Sequence, residues 1–394
     1  EMLMAGSVIS KYWGVYLNDF MRLMGWNANT NLTFGSFHID IAPIIIVAFF
    51  TTLLVFGTKI GARVDGAMTV LKIAIVFFVV IVGFFYVKAS NFTPFIPPSQ
   101  PASTVEGSSA VTGVMTQPLW QFATGMTPSV YGVPGILSGA ALVFFAFIGF
   151  DVVATASEET KNPHKNVPLG IGVGMLLIIV MYMLVAVVTT GMVSYADLAK
   201  QDSPSLATAF ELVGADWAAK IISFGIVLGL ATVVMVLLLG LTRSVFAMSR
   251  DGLLPRGLSK TGKHGTPAVL QIVVGTVVAL VAAFFDIGVL SDMVNIGTLS
   301  AFTLVAISIP IMRKKRPDLP RAFKMPGSPW IPILIAVANF WLMLNLSVLT
   351  WIRFVVWLVV GFAIYFGYGY WHARLGKGDL TETLSAETDK AVNG

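Results

Sequence analysis

The chain has 394 residues, of which 56% are hydrophobic and only 11% are charged, and its net charge is +5. A soluble domain carries about 25% charged residues, so this composition excludes an ordinary water-soluble fold. There are no cysteines, which excludes disulfides, thiolate metal sites and cysteine nucleophiles. The small basic excess does not indicate nucleic-acid binding, because membrane proteins gather Lys and Arg in their cytoplasmic loops.

Ten apolar segments follow one another along the chain, each close to the roughly 20 residues that cross a bilayer as a helix. Because lipid cannot satisfy free backbone groups, each segment is predicted to be helical. We therefore expect an all-α polytopic membrane protein with a transmembrane domain over residues 1–376 and a disordered cytoplasmic tail over 377–394. The spans are predicted at about 1–24, 39–58, 66–87, 134–156, 168–193, 217–247, 267–285, 288–312, 330–348 and 351–371.

The distribution of basic residues predicts the orientation of these spans. With the start of the chain inside, 18 Lys and Arg fall in inner loops or the tail and five in outer loops. Cytoplasmic loops are the ones enriched in Lys and Arg, so we expect a multi-pass protein of the plasma (inner) membrane with its C-terminus in the cytoplasm. The longest outer loop, at about 88–133, is predicted to be either an ordered cap over an external vestibule or a flexible loop.

Several polar residues lie inside the predicted spans, where ionisable groups are costly and mark a pathway or a site. Lys72 lies about one turn into the third span, so it either snorkels to the interface or is a buried amine coupled to transport. Lys11, near the middle of the first span, must face a water-filled cavity or pair with an acid. Asp292 and Asn295 open the eighth span and either line a gate or cap the helix.

A glycine and a carboxylate interrupt the fourth span, at Gly149 and Asp151. A glycine in a membrane helix is often only a packing contact. Followed within two residues by an acid, it favours a discontinuous helix, whose bare backbone groups can hold a substrate near the middle of the membrane.

Four stretches of the sequence, collinear and correctly spaced, resemble the cationic amino acid transporter family of the amino acid–polyamine–organocation superfamily. The resemblance implies a LeuT-like inverted-repeat transporter, in which the ten spans correspond to family helices 3–12. Family helices 1 and 2 are then expected to be absent from this sequence, and with them half of the substrate site. The stretches are the runs that begin at Phe144, Thr242 and Val294, and the basic loop 313–326.

The resemblance also implies which residues form the site. Lys72 matches a lysine that proton-coupled relatives place where sodium-coupled ones bind a cation, and Thr232 falls near its eighth-helix partner. Asp151 is expected to order the interrupted helix. The residues implied to lie at the substrate are Phe145, Ala146, Ile148, Gly149 and the third-helix acid Glu1.

These features predict a secondary active amino acid transporter, with proton-coupled symport by alternating access and no cofactor or metal. A neutral or small substrate is expected, because Lys11 near the pocket would repel a cationic one. The alternatives are an exchanger, or an inactive fragment or regulatory membrane subunit. An enzyme is disfavoured, because the four histidines show neither metal-ligand nor triad spacing. The expected partners are an amino acid and the lipid bilayer; the choice of amino acid and the oligomeric state stay open.

Overall fold

In the computed structural model, the residues described are 1–26, 30–34, 37–57, 61–104, 113–149, 160, 162–201, 204–260, 262, 266–318, 325 and 327–373. The predicted tail at 377–394 lies outside them. Within these residues each of the ten predicted segments contains a helix, which confirms the all-α prediction. The long helices are α1 Met2–Leu23, α2 Ile41–Phe56, α3 Gly61–Phe84, α4 Gly132–Val143, α5 Pro163–Met192, α6 Asp216–Arg250, α7 Ala268–Phe284, α8 Ile287–Lys315, α9 Trp330–Leu344 and α10 Val348–Ile364.

Nine of these helices are strongly apolar. Among the described residues, α3, α5, α6 and α8 are long and apolar enough to cross a membrane, as is α10 together with the helical residues that continue it to His372. Helices α2, α4, α7 and α9 are shorter apolar helices. The remaining helix, α1, carries Lys11, Asp19 and Arg22. It packs along α6 and also contacts α2, α7 and α8, so the protein itself shields much of its polar surface from lipid.

Helix α6 forms the centre of the bundle. In the most apolar 18-residue stretch of α6, half of the residues are buried inside the protein. In the corresponding stretches of α3 and α5, only 11% and 6% of the residues are buried. The unburied apolar faces of α3 and α5 therefore point toward lipid. Close packing of α3 against α6 depends on small residues, because Gly225 and Gly229 leave room for Ile75 and Lys72 of α3.

One end of the bundle carries the short strands, and we call it the outer end, following the predicted orientation. Strands Asn31–Phe34 and Phe37–Asp40 pair antiparallel and lead directly into α2. Strands Gln100–Pro101 and Ser129–Val130 form a second antiparallel pair within the predicted outer loop. Three further short helices lie at Leu119–Thr124, Tyr195–Ala199 and Leu206–Leu212.

The described parts of the predicted 88–133 loop form an ordered cap at the outer end. Backbone hydrogen bonds attach this cap to the turn between α9 and α10, with Leu119 N donating to Leu346 O at 3.0 Å and Leu349 N donating to Met115 O at 2.8 Å. Of the two alternatives for this loop, the structure therefore shows the ordered cap.

Candidate functional site

Gly149 predicts an interrupted helix, and the described residues up to Gly149 show the interruption. Helix α4 ends at Val143 and tightens to a 3-10 turn over Phe144–Phe147. Ile148 then takes an extended conformation, with φ −72° and ψ 139°. Gly149 follows with φ +123°, a value that residues with a Cβ rarely adopt. Asp151 lies outside the described residues.

Two residues at the break, Phe145 and Ile148, face the interior of the bundle, whereas Ala146 is exposed. Phe145 and Ile148 pack against a cluster of buried residues from three other helices. This cluster packs against two of the residues that the family resemblance implied to lie at the substrate. Its buried members are Ala5 and Val8 of α1, Leu237 of α6, and Leu290 and Val294 of α8.

A hydroxyl group holds one carbonyl next to the break. Tyr182 of α5 donates its hydroxyl hydrogen to Ala146 O at 2.7 Å. The Tyr182 ring also contacts the Phe147 ring edge-on, with 5.2 Å between centroids. Because a carbonyl oxygen has two lone pairs, the bond from Tyr182 occupies only one of the two acceptor positions of Ala146 O.

Lys72 and Thr232, which the family resemblance implied to be partners, each contact Gly229 of α6. A Cβ added at Gly229 would lie 3.2 Å from Lys72 Cγ and 3.7 Å from Lys72 Cε, so the lysine side chain runs across the bare glycine. Thr232 is buried and donates its hydroxyl hydrogen to Gly229 O at 3.0 Å. Lys72 itself is half-buried. The carbon stem of an ionisable lysine therefore lies against the central helix.

Glu1 stands at the start of α1 and is exposed. Its backbone carbonyl accepts a hydrogen bond from Ala5 N at 2.9 Å. Ala5, one turn further along, belongs to the cluster around the break. The structure thus places Glu1 one turn from the residues that pack against Phe145 and Ile148.

Lys11 pairs with an acid, which is one of its two predicted alternatives, and it also lines a cavity. Its ammonium group forms an ion pair with Asp40 and donates a hydrogen bond to Ala282 O at 3.0 Å. It is only 8% exposed. It also lines a cavity of about 300 Å³ at the outer end, together with Asp40, Asn18 and Asp286.

Asp292 and Asn295 do not cap their helix, because α8 begins at Ile287 with Asp286 as its N-cap residue. Asp292 instead lines a cavity of about 580 Å³ under the cap. Asn295 is fully buried and donates from Nδ2 to Leu142 O at 3.2 Å, which joins α8 to α4.

Two residues of these sites are not predicted by the sequence. The apolar pattern does not identify Asp40 as the acid for Lys11, although an acid at the outer boundary of the second span is a usable signal. Tyr182 sits in an uninterrupted apolar run, and nothing in that pattern marks its hydroxyl as a partner for the helix break.

Comparisons with known proteins cover nearly the whole chain. Residues 4–369 match the family model described as amino acid permease. The chain is 40% identical over 385 residues to the branched-chain amino acid permease BcaP of Bacillus subtilis, covering 96% of this chain and 76% of that protein. It is 36% identical to the methylthioribose transporter of the same species, with the same two coverages. It is 34% identical to the vacuolar cationic amino acid transporter 4 of Arabidopsis thaliana, covering 71% of this chain and 42% of that protein.

Proposed function

Because this chain belongs to the amino acid permease family, we propose that it is a secondary active transporter that moves a neutral amino acid together with a proton by alternating access. The observation that carries the proton coupling is the position of Lys72 across Gly229, beside Thr232. An ionisable group held within the spans against the central helix is expensive to keep and marks a transport role. The outer end is proposed to face the cell exterior, with the C-terminus in the cytoplasm.

The broken helix α4 is proposed to hold the substrate. Where a helix is interrupted within a membrane bundle, its free carbonyls and amides can bind the charged ends of a small molecule. The extended Ile148 and the positive φ of Gly149 interrupt the helical hydrogen bonding in this way. The Ala146 carbonyl, steadied by Tyr182, is a candidate acceptor for the substrate ammonium.

The preference for a neutral substrate is supported by the similarity to known proteins and no longer by the charge of Lys11. That argument holds that Lys11 would repel a cationic amino acid, but Asp40 pairs with Lys11 and compensates its charge. What supports a neutral substrate is the 40% identity to a protein named for branched-chain amino acids. The similarity to a methylthioribose transporter favours that compound as a second candidate substrate.

The test is uptake by the purified protein in liposomes, with acid outside and labelled leucine, alanine, arginine or methylthioribose supplied. We expect leucine or alanine to accumulate and a protonophore to collapse the accumulation. Arginine accumulation in place of leucine would contradict the neutral-substrate proposal, and methylthioribose accumulation alone would favour the second candidate.

The same assay separates symport from exchange. Lys72→Met should remove acid-driven accumulation, whereas Lys220→Met, which changes an exposed lysine near the start of α6, should leave it intact. Counterflow that persists in Lys72→Met without net uptake would agree with loss of proton coupling. Normal acid-driven uptake by Lys72→Met would overturn the proposed role of this lysine. If the unmodified protein shows counterflow without any net uptake, an exchanger is favoured instead.

A further inference from the structure

The cavity under the cap is large enough for a small organic molecule. Its volume is about 580 Å³, within the range of roughly 300–1,000 Å³ found for ligand pockets. The cap contributes Pro97 and Val130, and α4 contributes Ile136 and Leu142, so much of its wall is apolar. It is separate from the helix break and from Lys72, neither of which lines it.

Among the described residues that line this cavity, one carries a carboxylate. Asp292 Oδ2 accepts a hydrogen bond from the Thr350 hydroxyl at 3.0 Å, and no other described residue donates to this carboxylate. Thr350 lies in the first turn of α10, where the positive end of the helix dipole favours a negative charge. Arg353 attracts Asp292 electrostatically without forming an ion pair among the described residues. Asp292 therefore has acceptor capacity to spare.

A buried amide supplies a second acceptor to the same cavity. Asn345 is 5% exposed and lines the cavity wall. Its Nδ2 donates to Trp341 O at 2.8 Å, which fixes the orientation of the amide because only the nitrogen can donate to a carbonyl. Its Oδ1 is buried and has no hydrogen-bond partner in the described part of the chain. A buried acceptor without a partner is costly, so a donor that reached this oxygen from the cavity would stabilise it.

A second buried amide lies one turn from Asp292 on α8, outside the residues that line the cavity. Asn295 is fully buried, and its Oδ1 likewise lacks a partner among the residues described. Its Nδ2 is oriented toward the carbonyl of Leu142, a residue of the cavity wall. In both amides the nitrogen donates to a protein carbonyl, and the oxygen has no partner among the described residues. The nearby carboxylate of Asp292 adds a negative charge.

We propose that this cavity binds a small primary alkylammonium ion, with its NH₃⁺ group at Asp292 and Asn345 and its alkyl body against the apolar wall. A primary ammonium carries three donors and one positive charge, which complements a carboxylate and a neighbouring amide oxygen. The volume and the apolar lining suit an organic cation better than a lone metal ion. This site goes beyond the proposed transport function and does not depend on it.

The absence of cysteine from the chain allows a direct test. Ser138→Cys places one thiol on the cavity wall, and its reaction with a methanethiosulfonate reagent reports occupancy. We expect isobutylammonium to slow this reaction in the purified protein, while isovalerate, a similar-sized anion, leaves it unchanged. Val213→Cys, in a separate cavity at the outer end, is the matched control and should react at the same rate with or without isobutylammonium.

Variants of the acceptors identify the binding groups. In the Ser138→Cys background, Asp292→Asn should weaken protection by about tenfold or more, as expected for loss of a hydrogen bond to a charged group. Asp286→Asn, which alters an exposed acid beside the same end of α8, should keep full protection. Asn345→Leu provides a second variant in case Asp292→Asn does not fold, and it should also weaken protection.

Three results would overturn the proposal. Failure of isobutylammonium to protect Ser138→Cys would mean that water satisfies the free acceptors. Protection that is equal in folded Asp292→Asn and Asp286→Asn proteins would exclude the carboxylate. Equal protection by potassium ions at the same concentration would indicate a site for inorganic cations. Because these measurements use no transport, they are unaffected if the proposed substrate is wrong.

Discussion

The side chain of Lys72 crosses α6 at Gly229, where even a single added methyl group would come within 3.2 Å of Lys72 Cγ. Gly225 lies one turn away on α6 and faces Ile75 in the same manner. The pair forms a Gly-x-x-x-Gly motif, which lets two membrane helices approach closely. In this protein the motif also sets the path of a lysine, so helix packing and the proposed proton site are physically linked.

Gly229→Ala should impair proton-driven uptake without removing any titratable group. The new methyl group would push the lysine stem aside and move its amine relative to Thr232. Misplacing a functional group by about 1 Å can cost roughly 100-fold in rate, so we expect the initial rate to fall by about tenfold or more. The measurement is acid-driven leucine uptake as a function of external pH.

The control for this variant is Gly172→Ala on α5, where an added Cβ meets nothing within 4 Å. It should transport normally. An unchanged rate and pH profile in Gly229→Ala would show that the path of the lysine across this glycine has no role in coupling.

Gly225→Ala should affect stability more than coupling. An added Cβ would lie 2.4 Å from Ile75 Cδ1, which is too close for any real contact. Overpacking of this kind costs about 1–3 kcal/mol, so the melting temperature of the purified protein should fall. Ile75→Ala removes the three atoms in conflict, and the double variant should recover part of the loss. If the stability losses of the two single variants simply add in the double variant, the methyl group added at position 225 does not clash with Ile75.

Tyr182→Phe should weaken the proposed substrate site while leaving its packing in place. The variant removes the hydroxyl that donates to Ala146 O and keeps the ring that contacts Phe147. We expect a stability loss of only about 1 kcal/mol, because a single hydrogen bond is removed. If the hydroxyl positions the break, KM for leucine should rise severalfold. The control is Tyr365→Phe, at an exposed position just after α10, which should leave KM unchanged. An equal KM in both variants would show that the Tyr182 hydroxyl takes no part in the substrate site.

The helices and the break could be predicted because their signals are local in the sequence. Each span needs its own apolar run, and lipid forces each run to satisfy its backbone as a helix. The break is marked by Gly149, whose positive φ favours a residue without a Cβ. The pairing of Lys72 with Thr232 was implied by the family resemblance alone, because the two residues lie on different helices and no local pattern connects them.

The remaining contacts depend on how distant segments pack. Asp40 reaches Lys11 because strands 31–34 and 37–40 pair and lead into α2, and no periodic pattern encodes that turn. The free amide oxygens of Asn295 and Asn345 likewise become visible only once the partners of their nitrogens are known. Sequence periodicity identifies helices, whereas these polar sites depend on the register of the helices against one another.

The ion pair between Lys11 and Asp40 should contribute to stability mainly by compensating a buried charge. Lys11→Met would leave Asp40 without its cation, and Asp40→Asn would leave a buried ammonium uncompensated. Removing one partner of a fully buried pair costs about 3–5 kcal/mol, and we expect about 1–3 kcal/mol because the Asp40 side chain is 25% exposed. The measurement is the melting temperature of both single variants beside that of the unmodified protein.

The double variant Lys11→Met with Asp40→Asn distinguishes charge compensation from simple loss of a contact. It leaves no unpaired charge at this position, so it should regain most of the stability that either single variant loses. Single variants as stable as the unmodified protein would show that the pair is dispensable. Because Asp40 compensates the lysine charge, Lys11→Met should also leave the ratio of leucine to arginine uptake unchanged. A rise in arginine uptake would show that Lys11 still acts on the substrate through its charge.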